Sequence, residues 1–289
     1  MGVIRTIFLI FSHGKGGGIM AETQMSVKLI AHTQLSKEFL DVLWKSAGYS
    51  EGMPDSWDDY QVYDGATDGQ AVALTAIRTC YSPNKPSEIV ALEGEKYFGN
   101  KASDGEGGTE ADRLFRHITR SGHTSTLEHI SFTFAIEGVS RALLAQLTRH
   151  RAGYSYSVQS QRYVKFGTND RGELFHIVPH TIKNASKKVV IDGVEKQALE
   201  IYTDFMERTQ IVYDALRECG VPAEDARYVF PNAVATNLTL TANLTALLSF
   251  FGKRQKGRGA QGEIAELAER LRKEVVEVEP WTSAYFDAV

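Results

Sequence analysis

The sequence predicts an α+β fold, in which a single domain is dominated by helices. The segment 130–136 alternates apolar and polar residues, as a half-buried strand does. The segments 196–218 and 262–278 carry apolar residues at helical spacing over several turns. The 289 residues contain neither an internal repeat nor a low-complexity linker. One domain therefore fits the chain better than two.

The N-terminal half is predicted to contain two strands and several short helices. Residues 26–33 alternate weakly and indicate a strand. The stretch ISFTFAI at 130–136 is the clearer strand, because its apolar side chains all fall on one face. The spacing of apolar residues predicts helices over 37–48, 69–82 and 113–123.

The C-terminal half is predicted to be mostly helical. Apolar residues at helical spacing predict a helix over 139–151, after which the chain becomes serine-rich and irregular. The helix over 196–218 is closed by Gly220 and Pro222, which are typical helix-ending residues. Further helices are predicted over 223–230, 241–254 and 262–278.

Composition excludes several classes of protein. The apolar share of 43% supports a real core, and the net charge of −4 argues against a broad nucleic-acid-binding surface. No apolar run approaches the roughly 20 residues that cross a bilayer. Two cysteines without a C-x-x-C pair indicate a reducing cytoplasm.

The domain is predicted to begin near residue 25. Residues 1–24 contain an apolar stretch that is too short for a signal peptide, so we interpret them as a flexible N-terminal extension. Residues 25–289 then form the domain, with Gly-rich and Asp-rich insertions near 49–69 and 100–112.

The stretch RHRAGYSYSVQSQRYV at 149–164 combines three arginines with hydroxyls and aromatic rings, and it contains no acid. Cations favour the end of a helix and serines favour loops, which explains one or two of these residues. It does not explain Arg162 together with Ser155, Ser157 and Ser160. A cluster of this kind is typical of a site for an anionic, planar ligand.

Three other groups leave two interpretations open. His123, Glu128 and His129 are metal-ligating residue types, but their spacing matches no common zinc motif, so a structural role is favoured over a metal site. Arg227 lies among apolar residues and is expected to pair with a nearby acid, whereas binding an anion is the alternative. The basic, Gly-rich segment 250–263 suits either a solvated loop or a phosphate contact.

Taken in order, these segments resemble the flavin-dependent thymidylate synthases. The similarity rests on RHR followed by S-x-R-Y, on GHTSTLEHISF upstream, and on ARYVFP and NLTALLSFFGKR downstream. It covers roughly residues 70–285. The resemblance implies an antiparallel sheet packed with long helices, assembled as a homotetramer with shared active sites. It also implies reductive methylation of dUMP to dTMP, with FAD as cofactor and methylenetetrahydrofolate and NADPH as co-substrates.

The resemblance also implies roles for individual residues and no metal. The residues matching the family's FAD contacts are His123, Ser125, Arg149, His150, Arg151, Gln159 and Asn243. The residues matching its dUMP contacts are Gln146, Arg149, Ser160, Gln161, Arg162, Arg227 and Arg254. Of these, Arg254 and Ser160 match catalytic positions, with Arg254 aiding ionisation of uracil N3 while flavin N5 delivers hydride.

The chain departs from the family pattern at a few positions. Eight residues rather than seven separate RHR from Ser160, and Val158, Thr245 and Ser249 stand where polar or charged residues are frequent. Two rival functions remain at this point. One is a nucleic-acid-binding protein that uses the basic segments, and the other is a flavin-dependent methylase of a different pyrimidine.

Overall fold

A four-stranded antiparallel sheet organises the protein. The computed structural model describes residues 21–48, 65–168 and 174–289. The strands are β1 (Ala21–Glu22), β2 (Ser26–His32), β3 (Ser131–Ser140), β4 (Tyr154–Val158), β5 (Phe175–His176), β6 (Lys188–Ile191), β7 (Val194–Gln197) and β8 (Ala235–Asn243). The helices are α1 (Lys37–Ser46), α2 (Asp68–Thr79), α3 (Ile89–Phe98), α4 (Glu110–Arg120), α5 (Arg141–Leu147), α6 (His180–Lys183), α7 (Ala198–Glu218), α8 (Ala223–Ala226), α9 (Leu244–Arg254), α10 (Gly262–Val278) and α11 (Ser283–Asp287).

The main sheet has the strand order β2–β3–β8–β4, and all three pairings are antiparallel. The prediction of mixed helix and sheet is therefore confirmed. The predicted strand at 130–136 corresponds to the first part of β3, which begins one residue later, and its four apolar residues, Ile130, Phe132, Phe134 and Ile136, are fully buried. On the opposite face, the hydroxyls of Thr133 and Thr241 lie 2.9 Å apart and form a cross-strand hydrogen bond.

Two predicted helices begin later than their apolar spacing indicates. The prediction of a helix from residue 139 is wrong, because β3 continues to Ser140, whose hydroxyl caps α5 by accepting from Leu143 N at 3.0 Å. The prediction of a helix from residue 241 is wrong for the same reason. Strand β8 continues to Asn243, and Asn243 caps α9 by accepting from Ala246 N at 2.8 Å. In both places the strand passes directly into a helix, without a loop, at a residue whose side chain caps that helix.

The prediction that the serine-rich segment after Arg151 is irregular is wrong, because this segment forms strand β4 beside β8. Its tyrosines, Tyr154 and Tyr156, face the core and stack with ring centroids 5.8 Å apart. Ser155 and Ser157 point to the exposed face. The stretch YSYSV therefore has the alternation of a half-buried strand.

Helices cover the apolar face of the sheet. The main core joins the sheet to α2, α9 and α10, and α10 has the bounds predicted from the sequence. A second cluster packs Met206 and Tyr213 of α7 against Phe166. The predicted start of α7 at residue 196 is wrong by two residues, because Val194–Gln197 forms β7 of a hairpin.

The limits of the domain differ in part from the prediction. Of the predicted flexible extension 1–24, residues 1–20 lie outside the described residues, but Ala21 and Glu22 pair with β5. Most of the predicted insertion 49–69 also lies outside them. The predicted loop 100–112 gives way to α4 at Glu110. No helix in the described ranges is long and apolar enough to cross a membrane.

The turn before β4 is locked against the start of α9. Gly153 has a φ of 74°, and its carbonyl accepts a hydrogen bond from Asn243 N at 3.1 Å. A Cβ at residue 153 would lie 2.7 Å from Asn243 Nδ2 and 2.8 Å from Ala246 Cβ. Only glycine therefore allows this approach without displacing the cap of α9.

We expect Gly153→Ala to lower the free energy of unfolding by about 2 to 4 kcal/mol, because backbone strain adds to the steric clash. The matched control is Gly193→Ala. Gly193 has a φ of 80°, but a Cβ there would meet nothing within 4 Å. The control should lose only about 1 kcal/mol. Equal losses in urea unfolding would show that the contact with Asn243 contributes nothing.

Candidate active site

The cationic segment Arg149–Arg151 lies between the end of α5 and the start of β4. The Tyr156 hydroxyl donates to the carbonyls of Leu147 at 3.0 Å and His150 at 2.6 Å. The hydroxyl thus satisfies the His150 carbonyl and adds to the hydrogen bond that the Leu147 carbonyl accepts from His150 N at the end of α5. The side chains of Arg149 and Arg151 are exposed and have no hydrogen bond or ion pair with any described residue. They are therefore available to an anion.

His150 lies half-buried against α9. Its ring meets the Phe250 ring edge-on with centroids 4.9 Å apart, and its Nε2 accepts a hydrogen bond from Arg254 Nε at 3.2 Å. Burial lowers the pKa of His150, and the charges of Arg254, Lys253 and Arg149 lower that pKa further. The imidazole is therefore neutral at neutral pH, as its role of acceptor requires.

A second group of predicted residues meets around Glu224. Arg162 Nε donates to the Glu224 carboxylate at 2.5 Å, and its backbone N donates to the Ser160 hydroxyl at 3.2 Å. Arg227 Nε donates to the backbone carbonyl of Glu224 at 2.9 Å. The expectation that Arg227 pairs with an acid is wrong, because the Glu224 carboxylate bonds Arg162 instead. Among the described residues, no carboxylate therefore pairs with Arg227.

The loop after β4 also carries two glutamines. Gln159 is bonded to Asn237 of β8 through its backbone N at 2.8 Å and through its side-chain Oε1 at 3.2 Å. Gln161 is 4% exposed, and its Oε1 accepts from Arg141 Nη1 at 2.7 Å. Its buried Nε2 has no partner among the described residues. A buried donor without a partner is costly, so this amide suits a ligand acceptor.

Gln146 lies half-buried on α5. Its Nε2 is 3.5 Å from the carbonyl of Ala142, at the limit of a hydrogen bond. The amide of Gln146 is therefore only weakly held by the helix, and it is free to turn toward a ligand near Arg149.

A third group lies at the start of α9. The segment Thr124–His129 packs there, since Thr245 Oγ1 donates to the Thr124 carbonyl at 2.8 Å. Ser125 is exposed within this segment. His123 Nδ1 lies 3.1 Å from the Tyr81 hydroxyl, and both residues line a cavity of about 380 Å³.

The metal interpretation gains no support from this group. Among the residues that the structure describes, no cluster of three or more His, Cys, Asp or Glu side chains is placed to hold a metal ion. His123, Glu128 and His129 therefore lack a common binding point there.

One continuous segment, β8 followed by α9, is bonded to the loop after β4, to the turn before β4 and to the cationic segment. Asn237 bonds Gln159, Asn243 bonds Gly153, and Arg254 bonds His150. No described contact joins the group around Glu224 directly to the pair of His150 and Arg254. The sequence pattern did not predict which side chains support these groups, namely Arg141, Tyr154, Tyr156, Glu224 and Phe250. The period-two pattern of YSYSV was the signal for the two tyrosines.

Comparison with known proteins gives a consistent family. The family model described as "Thymidylate synthase complementing protein" matches residues 61–281. A flavin-dependent thymidylate synthase from Geobacter sulfurreducens is 39% identical over 214 residues, covering 74% of this chain and 80% of that protein. One from Clostridium tetani is 36% identical over 217 residues, covering 73% and 79%.

Solved structures share the fold. The UMP/dUMP methylase PolB from Streptomyces cacaoi, bound with 5-Br dUMP, aligns with a TM-score of 0.63 at 20% identity, covering 93% of this chain and 97% of that chain. Thymidylate synthase X from Helicobacter pylori, with FAD and dUMP, aligns with a TM-score of 0.55 at 22% identity, covering 92% and 98%. At these identities the likeness concerns the fold.

We expect Tyr156→Phe to lower the free energy of unfolding by about 1 to 2 kcal/mol, because the His150 carbonyl loses its donor and the Leu147 carbonyl keeps only the His150 N–H. Tyr228→Phe is the matched control, since Tyr228 is 83% exposed. Its free energy of unfolding should stay within about 0.5 kcal/mol of the parent protein. Urea unfolding of both variants makes the test, and an unchanged Tyr156→Phe would show that the hydroxyl does not hold the cationic segment.

Proposed function

This chain belongs to the family of flavin-dependent thymidylate synthases, and from that membership we propose that it converts dUMP to dTMP. Methylenetetrahydrofolate donates its methylene carbon to C5 of uracil, C5 loses its proton, and tetrahydrofolate is the leaving group. Reduced FAD, when bound, would supply the hydride that completes the methyl group, and NADPH would return the oxidised flavin to its reduced form. The observation that carries the proposal is the cationic RHR segment, joined to Arg254 through His150.

The cationic residues fit a nucleotide phosphate. Arg149 and Arg151 are free of carboxylates in the described part of the chain, and Arg227 bonds only a backbone carbonyl. In a protein of net charge −4, such unneutralised arginines mark a local anion site. We assign Gln146, Arg149, Ser160, Gln161, Arg162, Arg227 and Arg254 to dUMP.

Residues near the start of α9 fit the flavin. Asn243 uses its Oδ1 to cap α9, which leaves its Nδ2 to donate, and Ser125 presents an exposed hydroxyl beside α9. Gly153 leaves room next to Asn243 that a side chain would fill. We assign His123, Ser125, Arg149, His150, Arg151, Gln159 and Asn243 to FAD.

We assign to Arg254 the electrostatic stabilisation of charge on uracil. Carbon transfer requires a nucleophilic C5, and ionisation of N3 provides it by placing negative charge over N3, O4 and C5 of the ring. A guanidinium stays protonated throughout, so it stabilises this charge electrostatically and does not exchange a proton. The hydroxyl of Ser160, held near Arg162, would assist at the same ring.

We further propose that the protein is a homotetramer with shared active sites. Tyr163 and Tyr228 are 76% and 83% exposed beside Arg162 and Arg227, so aromatic surface next to the site is left for a second subunit to cover. Residues 25–289 would form the single domain that assembles in this way.

Both cysteines are exposed free thiols, which suits a reducing cytoplasm.

The visible absorption spectrum separates this function from its rivals. Purified protein supplied with FAD should show flavin bands that shift when dUMP is added, because both ligands occupy one pocket. A nucleic-acid-binding protein would instead bind an oligonucleotide with steep salt dependence and hold no flavin. Equal spectral shifts and equal turnover with UMP and dUMP would favour a methylase of broader pyrimidine specificity.

We expect Arg254→Ala to reduce dTMP formation by at least about 100-fold, because one preorganised charge at the uracil ring is lost. Bound FAD, measured from its absorption, should remain. Arg258→Ala is the control, since Arg258 is an exposed arginine in the same basic segment. Normal turnover by Arg254→Ala would overturn the role assigned to Arg254.

A further inference from the structure

The guanidinium of Arg254 has a single hydrogen-bond partner in the described part of the chain. That partner is His150, whose Nε2 accepts from Arg254 Nε at 3.2 Å. The two residues come from different elements, because His150 follows α5 and Arg254 ends α9. The ring of His150 is in turn held edge-on by Phe250, one helical turn before Arg254. His150 therefore fixes the position of the Arg254 guanidinium at the end of α9.

We propose that His150 is a positioning residue, whose neutral imidazole holds the Arg254 guanidinium in place and releases it when Nε2 is protonated. The proposal rests on the proposed function, in which Arg254 acts on the uracil ring. It adds a role for His150 toward another side chain, separate from any contact of its ring with a cofactor.

The surroundings of His150 favour the neutral form. From α9 it faces the cations Lys253 and Arg254, and from its own segment it faces Arg149. From β4 it faces the Tyr154 ring, with centroids 6.2 Å apart. The charged groups that act on the imidazole are thus all cations, and burial adds to their effect on its pKa.

The backbone of His150 is fixed independently of its ring. Its carbonyl accepts from the Tyr156 hydroxyl, and its N donates to the Leu147 carbonyl at 3.0 Å. Removing the imidazole therefore leaves the chain path of the RHR segment supported. A substitution at residue 150 consequently tests the side chain and not the fold of the loop.

The sign of the pH dependence follows from the hydrogen bond. Above the lowered pKa of His150, Nε2 carries a lone pair and accepts from Arg254. As the pH falls through that pKa, Nε2 gains a proton, the acceptor is lost, and a further positive charge stands beside Arg254. The pair then separates. Turnover at saturating substrate should therefore fall on the acid side and stay constant above it.

Two substitutions at residue 150 distinguish loss of the hydrogen-bond acceptor from loss of the titratable group. His150→Gln keeps an acceptor oxygen that does not titrate, whereas His150→Leu removes the acceptor. We expect His150→Leu to lower kcat by about 10 to 100-fold, since a displaced catalytic group costs that much. His150→Gln should retain more turnover than His150→Leu and should lose the acid limb of the parent protein. Double replacement of His150 by Leu and Arg254 by Ala should be no slower than Arg254→Ala alone.

His176→Gln is the matched control. His176 is also buried, and burial likewise lowers its pKa, but it lies in β5 and packs on Tyr202 of α7. This variant should keep both the kcat and the acid limb of the parent protein. An acid limb that survives in His150→Gln would overturn the proposal. The proposal would also be overturned if the double variant lost kcat by the product of the two single losses. Loss of bound FAD at saturating cofactor in both His150 variants would overturn it as well.

A titration followed by ¹⁵N NMR of the histidine rings tests the proposal without turnover. We expect Nε2 of His150 to be unprotonated at neutral pH and its pKa to rise in Arg254→Ala, while His176 stays unchanged. A proton on Nε2 at neutral pH would overturn the proposal. Absence of dTMP formation by the parent protein, with the NMR result as expected, would instead count against the proposed function alone.

Discussion

The unbroken passage from β8 into α9 is the constraint on which the rest of the site depends. Asn243 is both the last residue of the strand and the cap of the helix, so no loop allows one to move relative to the other. The antiparallel pairing with β3 buries the apolar face of β8 and fixes its position in the sheet. A displacement of α9 would therefore be felt at Gln159, at Gly153 and at His150, each of which is bonded to this segment.

Electrostatics explain why the site contains a histidine among arginines. Several guanidinium groups held close together repel one another, and a protonated imidazole would add to that repulsion. A neutral His150 instead contributes an acceptor, so Arg254 is held without a carboxylate that would cancel its charge. Arg162 is the contrasting case, because Glu224 neutralises it in part. The site thus keeps a net positive field within an acidic protein.

Departures from the family pattern have structural roles in this chain. Thr245 stands where an arginine is frequent, and its hydroxyl fastens the segment Thr124–His129 to α9. Val158 stands where a polar residue is frequent, and it closes β4 by pairing with Leu238. These residues support the backbone around the site, so contacts to a flavin would have to come from their neighbours.

The sequence by itself determined the class of fold, the main strand and the helix α10, because these depend on periodic burial along one segment. It also indicated the cationic segment and the family. It did not locate the starts of α5 and α9, since apolar spacing runs through both junctions and only the caps at Ser140 and Asn243 mark the change. Tertiary structure alone decided that His150 meets Arg254 and that Glu224 bonds Arg162 rather than Arg227. His150 and Arg254 are 104 positions apart in the sequence, and Arg162 and Glu224 are 62 positions apart. Each pair meets only when the sheet and helices pack, so no local sequence pattern predicts the contact.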